Sequence, residues 1–317
     1  MSKILIMIKL SIIIVSYNTA SLLKDCISSI LLSSFSFDYE IIVVDNHSTD
    51  NTLEMLKSFP SIKIISNTKN LLFAQANNLG ASIAKGKYLL LLNSDTLIWG
   101  DNIDKLVKYF DTVDDSVICI GPKILNEDRS VQSEGNLGMT HWDMIVKHFK
   151  VGQIFPKFVI KGVLPPGTYR FNKNTPHAVA WVSGACMLIR ADLYSSVGGL
   201  NEKLEFYGEE PEFGFRTSNL GYRTLYYPYS EIIHLGGKST PQSFREKEMS
   251  LRRYTILVEQ TVGYSYAIWT SRITRFSYFL KYLMTFKSSI RLLIRYETDV
   301  IKYIKLKLKN SPEKDHL

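Results

Sequence analysis

At 317 residues, with 45% hydrophobic and 21% charged residues, the chain has the composition of a globular protein with a sizeable core, which excludes an intrinsically disordered chain. Its formal charge of +8 lies in the C-terminal region, because ten basic but only two acidic residues fall between Tyr264 and Asn310 and the rest of the chain is balanced. The three cysteines have no paired spacing, which excludes a disulfide framework or a zinc knuckle and favours a reducing, cytosolic setting.

The N-terminal apolar run does not have the features of a signal peptide. Lys9 interrupts the run that begins at Ile4, and no small-residue cleavage site follows, so we expect it to lead into a first strand. No stretch contains about 18 successive apolar residues, and no transmembrane helix is therefore predicted.

The first 120 residues alternate apolar, β-branched runs with stretches of helical periodicity. The predicted strands are Leu10–Ser16, Glu40–Val44, Ile62–Ile65 and Tyr88–Leu92. Predicted helices cover Leu22–Leu31, Thr52–Phe59 and Phe73–Ala84. Alternation with short connections is typical of strand–helix–strand units on a parallel sheet.

Three polar clusters directly follow predicted strands: Tyr17–Asn18, Asp45–Asp50 and Asn93–Asp95. If the strands are parallel neighbours, these clusters meet at the carboxyl edge of the sheet, where ligands bind in open α/β folds. One acid there can accept hydrogen bonds from a base or ribose while another holds a divalent cation on a pyrophosphate. The alternative is that Asp45 and Asp95 only cap helices or shape turns.

No standard phosphate-binding loop competes with these clusters. The chain has no G-x-G-x-x-G motif, and the P-loop-like run Gly236–Thr240 has Ile232 where the first glycine is needed.

The second half of the chain is less regular. A turn at Asn126–Ser130 separates extended pieces, and the long region to Pro176 is typical of a binding loop or lid. Trp181–Arg190 is predicted to be a strand in which Gly184 either allows another group to approach the backbone or marks a bulge.

Acidic residues then cluster around Pro211. Glu209, Glu210 and Glu212 suit either a catalytic site or the first turn of a helix, and Glu212 can also pair with Arg216. A final strand at Thr224–Tyr229 precedes His234, a histidine at a strand end that is more often structural than a ligand.

A helix at Lys287–Lys309 would be amphipathic. Basic residues share one side: Lys287, Arg291, Arg295, Lys302, Lys305 and Lys309. Apolar residues share another: Phe286, Ile290, Leu293, Ile294, Ile301, Ile304 and Leu308. The pattern favours a helix in the surface of an anionic membrane, with packing on the catalytic domain and nucleic-acid binding as alternatives.

Taken together, the segments resemble the inverting, nucleotide-sugar-dependent glycosyltransferases of family 2, which have the GT-A fold, and especially their bacterial rhamnosyltransferase-like branch. Seven segments carry the resemblance in the family's order: Ser11–Asn18, Asp45–Asp50, Asn70–Gly80, Leu91–Thr96, Ser183–Arg190, Gly208–Glu210 and His234–Ser239. The resemblance implies an α/β fold with a mostly parallel, Rossmann-like central sheet flanked by helices. It divides the chain into a GT-A domain at 1–245, with a nucleotide-sugar half (1–120) and an acceptor half (121–245), and a helical basic extension at 246–317.

The resemblance also implies roles for individual residues. Asp45 would contact the base or ribose, Asp95 and His234 would bind Mg or Mn on the pyrophosphate, and Glu210 would be the general base, with Glu209 as a second candidate. The remaining nucleotide-sugar contacts would come from Tyr17, Asn18, Asn46, Asn77, Asn93 and Ser94. The acceptor side would be formed by Trp181, Gly184 and Glu212.

Three positions depart from the family pattern. Asn93 replaces the first aspartate of the D-x-D-type motif, Glu210 replaces the usual aspartate, and Leu72 stands where glycine is usual. The longer Glu210 side chain leaves Glu209 or Glu212 as alternative bases.

The resemblance predicts a hexosyltransferase that moves rhamnose or another hexose to a hydroxyl of a glycan or lipid-linked saccharide in cell-surface polysaccharide synthesis. We expect a cytoplasmic protein, peripheral on the inner face of the plasma membrane, with no nucleic acid as partner. The alternatives are an inactive binding protein that keeps the fold and, less favoured, a basic nucleic-acid-binding protein.

Overall fold

The computed structural model describes residues 8–136, 174–204, 208–236 and 263–310. The chain divides into two compact units, one made of Met1–Asn136 and Asn172–Pro241, the other of Leu137–Phe171 and Gln242–Leu317. The predicted boundary at residue 245, the long connection before Pro176 and most of the P-loop-like run lie outside the described residues.

Within the described part of the first unit, ten strands form one sheet in the order β3-β2-β1-β4-β9-β6-β10-β5, with β7 paired to β6 and β8 to β10. The strands are β1 (Leu10–Ser16), β2 (Tyr39–Asp45), β3 (Lys63–Ser66), β4 (Tyr88–Asn93), β5 (Thr96–Leu97), β6 (Val117–Leu125), β7 (Val131–Ser133), β8 (His177–Val179), β9 (Cys186–Arg190) and β10 (Arg223–His234). The helices are α1 (Ala20–Leu31), α2 (Thr52–Leu56), α3 (Leu72–Ser82), α4 (Asn102–Thr112), α5 (Ala191–Ser196) and α6 (Glu209–Asn219).

The parallel half of the sheet confirms the predicted gathering of strand ends. β1 lies between β2 and β4 and is parallel to both, with Ser16 beside Asp45 and Val15 beside Asn93. These strands are almost continuously apolar because helices cover both faces of a parallel sheet. The three polar clusters therefore begin at one level of one edge.

The other half of the sheet is mixed. β9 is antiparallel to both of its neighbours, β4 and β6. The predicted strand at Trp181–Arg190 is wrong in its first half: β9 begins at Cys186, and Ala185 O instead accepts a hydrogen bond from the Asn93 backbone N–H (3.1 Å). The final strand is longer than the predicted Thr224–Tyr229. β10 continues to His234, with a register shift between Tyr227 and Glu231 in its pairing with β6.

The short strand β5 determines where the end of β10 lies. β10 and β5 are antiparallel, with His234 opposite Thr96 and Ile233 opposite Leu97. The Leu235 backbone N–H donates to Asp95 O at 2.9 Å. Main-chain hydrogen bonds therefore join residues that are more than 130 positions apart in the sequence.

In the second unit, the described residues form two packed helices, α7 (Gly263–Thr285) and α8 (Ser288–Asn310). α8 confirms the predicted helix, and five of its basic residues are exposed: Arg291, Arg295, Lys302, Lys305 and Lys309. Its apolar side is only partly exposed: Ile290, Ile301 and Ile304 are buried, and Leu293 and Ile294 are half-buried. The predicted contact of this helix with a membrane remains a prediction. Neither α7, α8 nor any other described helix has the length and apolarity needed to cross a membrane.

Gly86 provides a test of the packing between the start of β4 and β1. A Cβ at this position would lie 2.5 Å from Ser11 N and 2.8 Å from Leu10 C, backbone atoms that cannot move independently of the strand. We expect Gly86→Ala to lower the free energy of unfolding by about 1–3 kcal/mol in urea titrations. Lys85→Ala, at the exposed neighbouring position, should change it by less than about 0.5 kcal/mol. Equal unfolding midpoints for both variants would contradict this packing.

Candidate functional site

An open cleft lies at the carboxyl edge of the parallel strands, with an empty volume of ≈ 660 Å³. Its walls are formed by Val15, Tyr17, Thr19, Asn46, Asn70, Leu72, Phe73, Asn93, Ser94 and Asp95. The structure thus brings together five of the residues that the sequence places around a nucleotide sugar or its cation: Tyr17, Asn46, Asn93, Ser94 and Asp95.

Asp45 ends β2 and is almost fully buried. Its Oδ2 accepts a hydrogen bond from the Ser48 backbone N–H (3.3 Å), whereas its buried Oδ1 has no hydrogen-bond partner among the described residues. A buried acceptor without a donor costs about 1–3 kcal/mol. The Asp45 carboxylate is therefore suited to accept a hydrogen bond from a ligand N–H or O–H.

Asn46 and Asn18 hold the loops around this edge. The Asn46 amide donates to Asn70 Oδ1 (2.8 Å) and Leu72 O (3.2 Å), and it accepts from the Leu71 backbone N–H (2.8 Å). Asn18 has a left-handed backbone (φ 54°), and its Oδ1 accepts from the Thr49 backbone N–H at 2.7 Å. Both residues thus fix the loops that follow β1, β2 and β3, and their predicted ligand contacts remain predictions.

His234 lies beside two residues that line the cleft, Asn93 and Asp95. His234 Nε2 lies 3.2 Å from Asp95 Oδ1 and 3.4 Å from Asn93 Nδ2. On the other side of the ring, Nδ1 lies 2.7 Å from Gln132 Oε1. The Gln132 amide nitrogen already donates to Asn126 Oδ1 and to His234 O, so its oxygen is the acceptor for Nδ1–H.

These contacts fix the orientation of the His234 ring. Nδ1–H donates to Gln132 Oε1, so Nε2 is the ring nitrogen that faces Asn93 and Asp95. One imidazole nitrogen and one carboxylate facing each other are a donor set that fits Mn²⁺ or Mg²⁺. The described residues contain no group of three or more His, Cys, Asp and Glu placed to hold a metal, so a cation here would need further ligands from a substrate or water.

Glu210 lies in the first turn of α6 and points back to the turn before β9. Its Oε1 accepts a hydrogen bond from the Gly184 backbone N–H (2.9 Å). Burial raises the pKa of the Glu210 carboxyl above its ordinary value of 4.5, and the hydrogen bonds to backbone N–H groups and the charge of His234 oppose this shift. A Cβ on residue 184 would lie 2.4 Å from Glu210 Oε1, so the Glu210 carboxylate has room here because residue 184 is a glycine.

The neighbouring acids have different surroundings. Glu212 is buried and binds Arg216 with both oxygens, at 2.7 Å to Nε and 3.2 Å to Nη2, and Arg216 also donates to Val197 O and Gly199 O. This is the structural i,i+4 pair that the sequence allowed, and both oxygens of the Glu212 carboxylate are bound to Arg216. The predicted role of Glu212 toward the sugar acceptor remains a prediction. Glu209 is also buried.

Two further predicted residues lie away from the cleft lining. Asn77 is buried on α3, where its amide donates to Phe73 O (2.9 Å). Trp181 is half-buried, with its ring 5.8 Å from that of Phe215. Their predicted roles toward the nucleotide sugar and the acceptor remain predictions.

The structure adds residues that sequence reasoning missed. Gln132 is 102 positions from His234, and no motif or period connects them. Thr19 joins Ser16 and Ser94 through hydroxyl contacts of 2.9 and 3.1 Å, which link the ends of β1 and β4. Leu72, which the sequence singles out because glycine is usual at its position, has φ 63°, a conformation that favours glycine, and it lines the cleft.

Solved structures with low sequence identity share this fold. The mannosyltransferase PcManGT from Pyrobaculum calidifontis, solved with GDP-Man and Mn²⁺, aligns with a TM-score of 0.59 and 12% identity over 94% of this chain and 86% of its own. GalNAc-T7, solved with UDP, GalNAc and Mn²⁺, aligns with a TM-score of 0.59 and 18% identity over 98% of this chain and 58% of its own. The fold is therefore that of the GT-A glycosyltransferases.

Sequence relatives point to the same group of proteins. Glycosyltransferase GlyG of Streptococcus pneumoniae is 28% identical over 59% of this chain, and the N-acetylglucosaminyl-diphospho-decaprenol L-rhamnosyltransferase of Mycobacterium tuberculosis is 25% identical over 73% of this chain and 77% of its own length. The O-antigen biosynthesis protein RfbC of Myxococcus xanthus is 26% identical over 71% of this chain. The matched region makes up 58% of the length of the pneumococcal protein and 17% of the length of RfbC.

Two family models complete the comparison. The model described as glycosyl transferase family group 2 matches residues 167–298. The model of glycosyl transferase family 2 matches residues 11–198, which is more than half of the chain and includes the three strand ends and Gly184. The chain belongs to glycosyl transferase family 2.

Proposed function

We propose that the protein is an inverting glycosyltransferase that transfers a sugar from a nucleoside-diphosphate sugar to a hydroxyl group of a glycan or lipid-linked saccharide. The observation that carries the proposal is the contact of His234 Nε2 with Asp95 Oδ1 at 3.2 Å. Glu210 is linked to the same cleft through the turn before β9: its Oε1 accepts from the Gly184 N–H, and the neighbouring Ala185 O accepts from the N–H of the cleft residue Asn93.

The residues of the cleft suit the donor. The buried Asp45 Oδ1 would accept a hydrogen bond from the base or ribose. Asp95 and His234 would hold a divalent cation, which when bound neutralises charge on the diphosphate leaving group. Tyr17, half-exposed at the cleft wall, would cover an apolar face of the donor.

Glu210 would take the proton of the attacking hydroxyl. A carboxylate whose pKa is raised by burial is a stronger base than an ordinary glutamate at neutral pH. The hydrogen bond from the Gly184 N–H to Oε1 orients the group. Attack of the deprotonated oxygen on the face opposite the diphosphate would invert the anomeric centre.

The similarity to the mycobacterial enzyme supports rhamnose or another hexose as the transferred sugar and a lipid-linked saccharide as the acceptor. Such an acceptor would place the reaction at the inner face of the plasma membrane, within cell-surface polysaccharide synthesis. The alternative of an inactive binding protein rests on glutamate at position 210, and its raised pKa and its contact with Gly184 favour a base.

Donor binding tests the proposal directly. Calorimetric titration with dTDP-, UDP- and GDP-sugars in the presence of Mn²⁺ should identify one nucleotide that binds, and NMR of the transfer product should show the inverted anomer. Retention of configuration, or the absence of binding by every donor, would contradict the proposal.

Removal of the Asp95 carboxylate should remove the cation. We expect Asp95→Ala to abolish Mn²⁺ binding, measured by titration calorimetry, together with metal-dependent hydrolysis or transfer of the donor. Asp115→Ala, which removes a carboxylate that is 99% exposed, should leave both unchanged. Full activity of Asp95→Ala would place the cation elsewhere.

Glu210→Gln should separate binding from chemistry. We expect the donor Kd to stay the same and kcat to fall by about 10²–10⁴-fold, because the amide cannot accept the proton. In the wild type, the rate should fall on acidification through a pKa above 4.5, since the protonated carboxyl is not a base. A normal rate for Glu210→Gln, with loss of activity in Glu209→Gln, would identify Glu209 as the base.

Gly184→Ala tests whether the position of Glu210 matters. The added methyl group would overlap Oε1 and push the carboxylate from its place. We expect a lower kcat with an unchanged donor Kd, whereas Ser183→Ala should keep kcat. Wild-type kcat in Gly184→Ala would show that the reaction tolerates a displaced Glu210.

A further inference from the structure

A helix on the surface of a protein in water usually buries apolar residues and exposes polar ones, and α7 does the reverse. Three small hydroxyl residues are buried: Ser271, Thr274 and Ser277. Large apolar residues are exposed instead: Trp269, Phe276, Phe279, Leu283 and Met284, with 46–76% of their surface accessible. Contiguous exposed apolar surface of this kind indicates an interaction site.

Four of these residues form a continuous stripe. At 100° per residue, Trp269, Phe276, Phe279 and Leu283 fall within an arc of about 80° on the helix. The stripe runs for about 21 Å along the axis at 1.5 Å per residue. It is long enough to lie along a flat surface.

The charge around the stripe has one sign. Residues 263–296 contain no Asp or Glu and six basic residues: Arg272, Arg275, Lys281, Lys287, Arg291 and Arg295. Arg272 is exposed within the stripe, with its guanidinium 5.4 Å from the centre of the Trp269 ring. An apolar surface surrounded by cations is complementary to a layer of anionic headgroups over acyl chains.

The geometry points to the exposed face of α7, which comprises Trp269, Arg272, Phe276, Phe279 and Leu283, as a docking surface for an anionic lipid bilayer. The helix lies in the interface, because neither it nor any other described helix is apolar enough to cross a membrane. A second copy of this chain fits poorly, since two such faces would oppose like charges. The apolar side of α8 is less suited because it is only partly exposed.

This surface deepens the proposed function, since a lipid-linked acceptor is reached at a membrane, but its test needs no sugar transfer. Flotation of the full chain should show binding to vesicles of equimolar phosphatidylcholine and phosphatidylglycerol, and weak binding to phosphatidylcholine alone. We expect Trp269→Ser/Phe276→Ser/Phe279→Ser to lower binding to anionic vesicles at least tenfold. Arg272→Gln should lower it about fivefold, and less so at high salt.

Matched controls separate this surface from general effects. Leu32→Ser/Val131→Ser/Leu220→Ser replaces equally exposed apolar residues of the first unit and should bind vesicles like the wild type. Circular dichroism and the donor Kd should be unchanged in both triple variants.

Three results would overturn the proposal. The first is vesicle binding by the α7 triple variant at wild-type strength. The second is a wild type that binds RNA or DNA in a salt-sensitive way but no anionic vesicles. The third is a triple variant that changes only the oligomeric state in sedimentation. Glu210→Gln should still bind vesicles, so loss of catalysis and loss of docking are distinguishable.

Discussion

The register between β1 and its two parallel neighbours is the constraint on which the site depends. Main-chain pairing puts Ser16 beside Asp45 and Val15 beside Asn93, so that three polar turns leave the sheet at one level. A shift of one residue in either pair would exchange side chains between the two buried faces of the sheet, Ile12 and Ile14 on one and Ile13 on the other, and would move the polar turns to different levels. The apolar core thus determines where the carboxylates lie.

A second pairing brings the distant half of the chain to the same edge. The antiparallel contact of β10 with β5 places His234 near Asp95, and Gln132 on β7 orients the ring. The position of Glu210 depends on a different feature, the space beside the backbone of Gly184. The proposed cation binding and the proposed proton transfer therefore depend on separate parts of the fold, and substitutions should affect them separately.

Local patterns predicted much of this architecture, because the parallel strands, α1, α3 and α8 have strong apolar periods and polar ends. They also predicted Asp95 at a strand end, and they left two possibilities at Gly184, a bulge and the close approach of another group that the structure shows. They did not predict the start of β9 at Cys186, which follows from its partners, nor the left-handed Leu72 in the cleft wall. The apolar side of α8 was predicted to be free for a membrane, and only tertiary packing shows that it is partly buried while α7 exposes its aromatic residues.

We propose that Asp95 and His234 bind the cation that accompanies a nucleoside diphosphate. Anomalous diffraction from crystals soaked with Mn²⁺ and the nucleoside diphosphate of the binding donor would locate this cation. We expect a manganese peak in contact with Asp95 and His234 Nε2, with the diphosphate as a further ligand and the base or ribose near Asp45. A manganese peak away from both side chains, or a nucleotide bound outside the cleft, would contradict it.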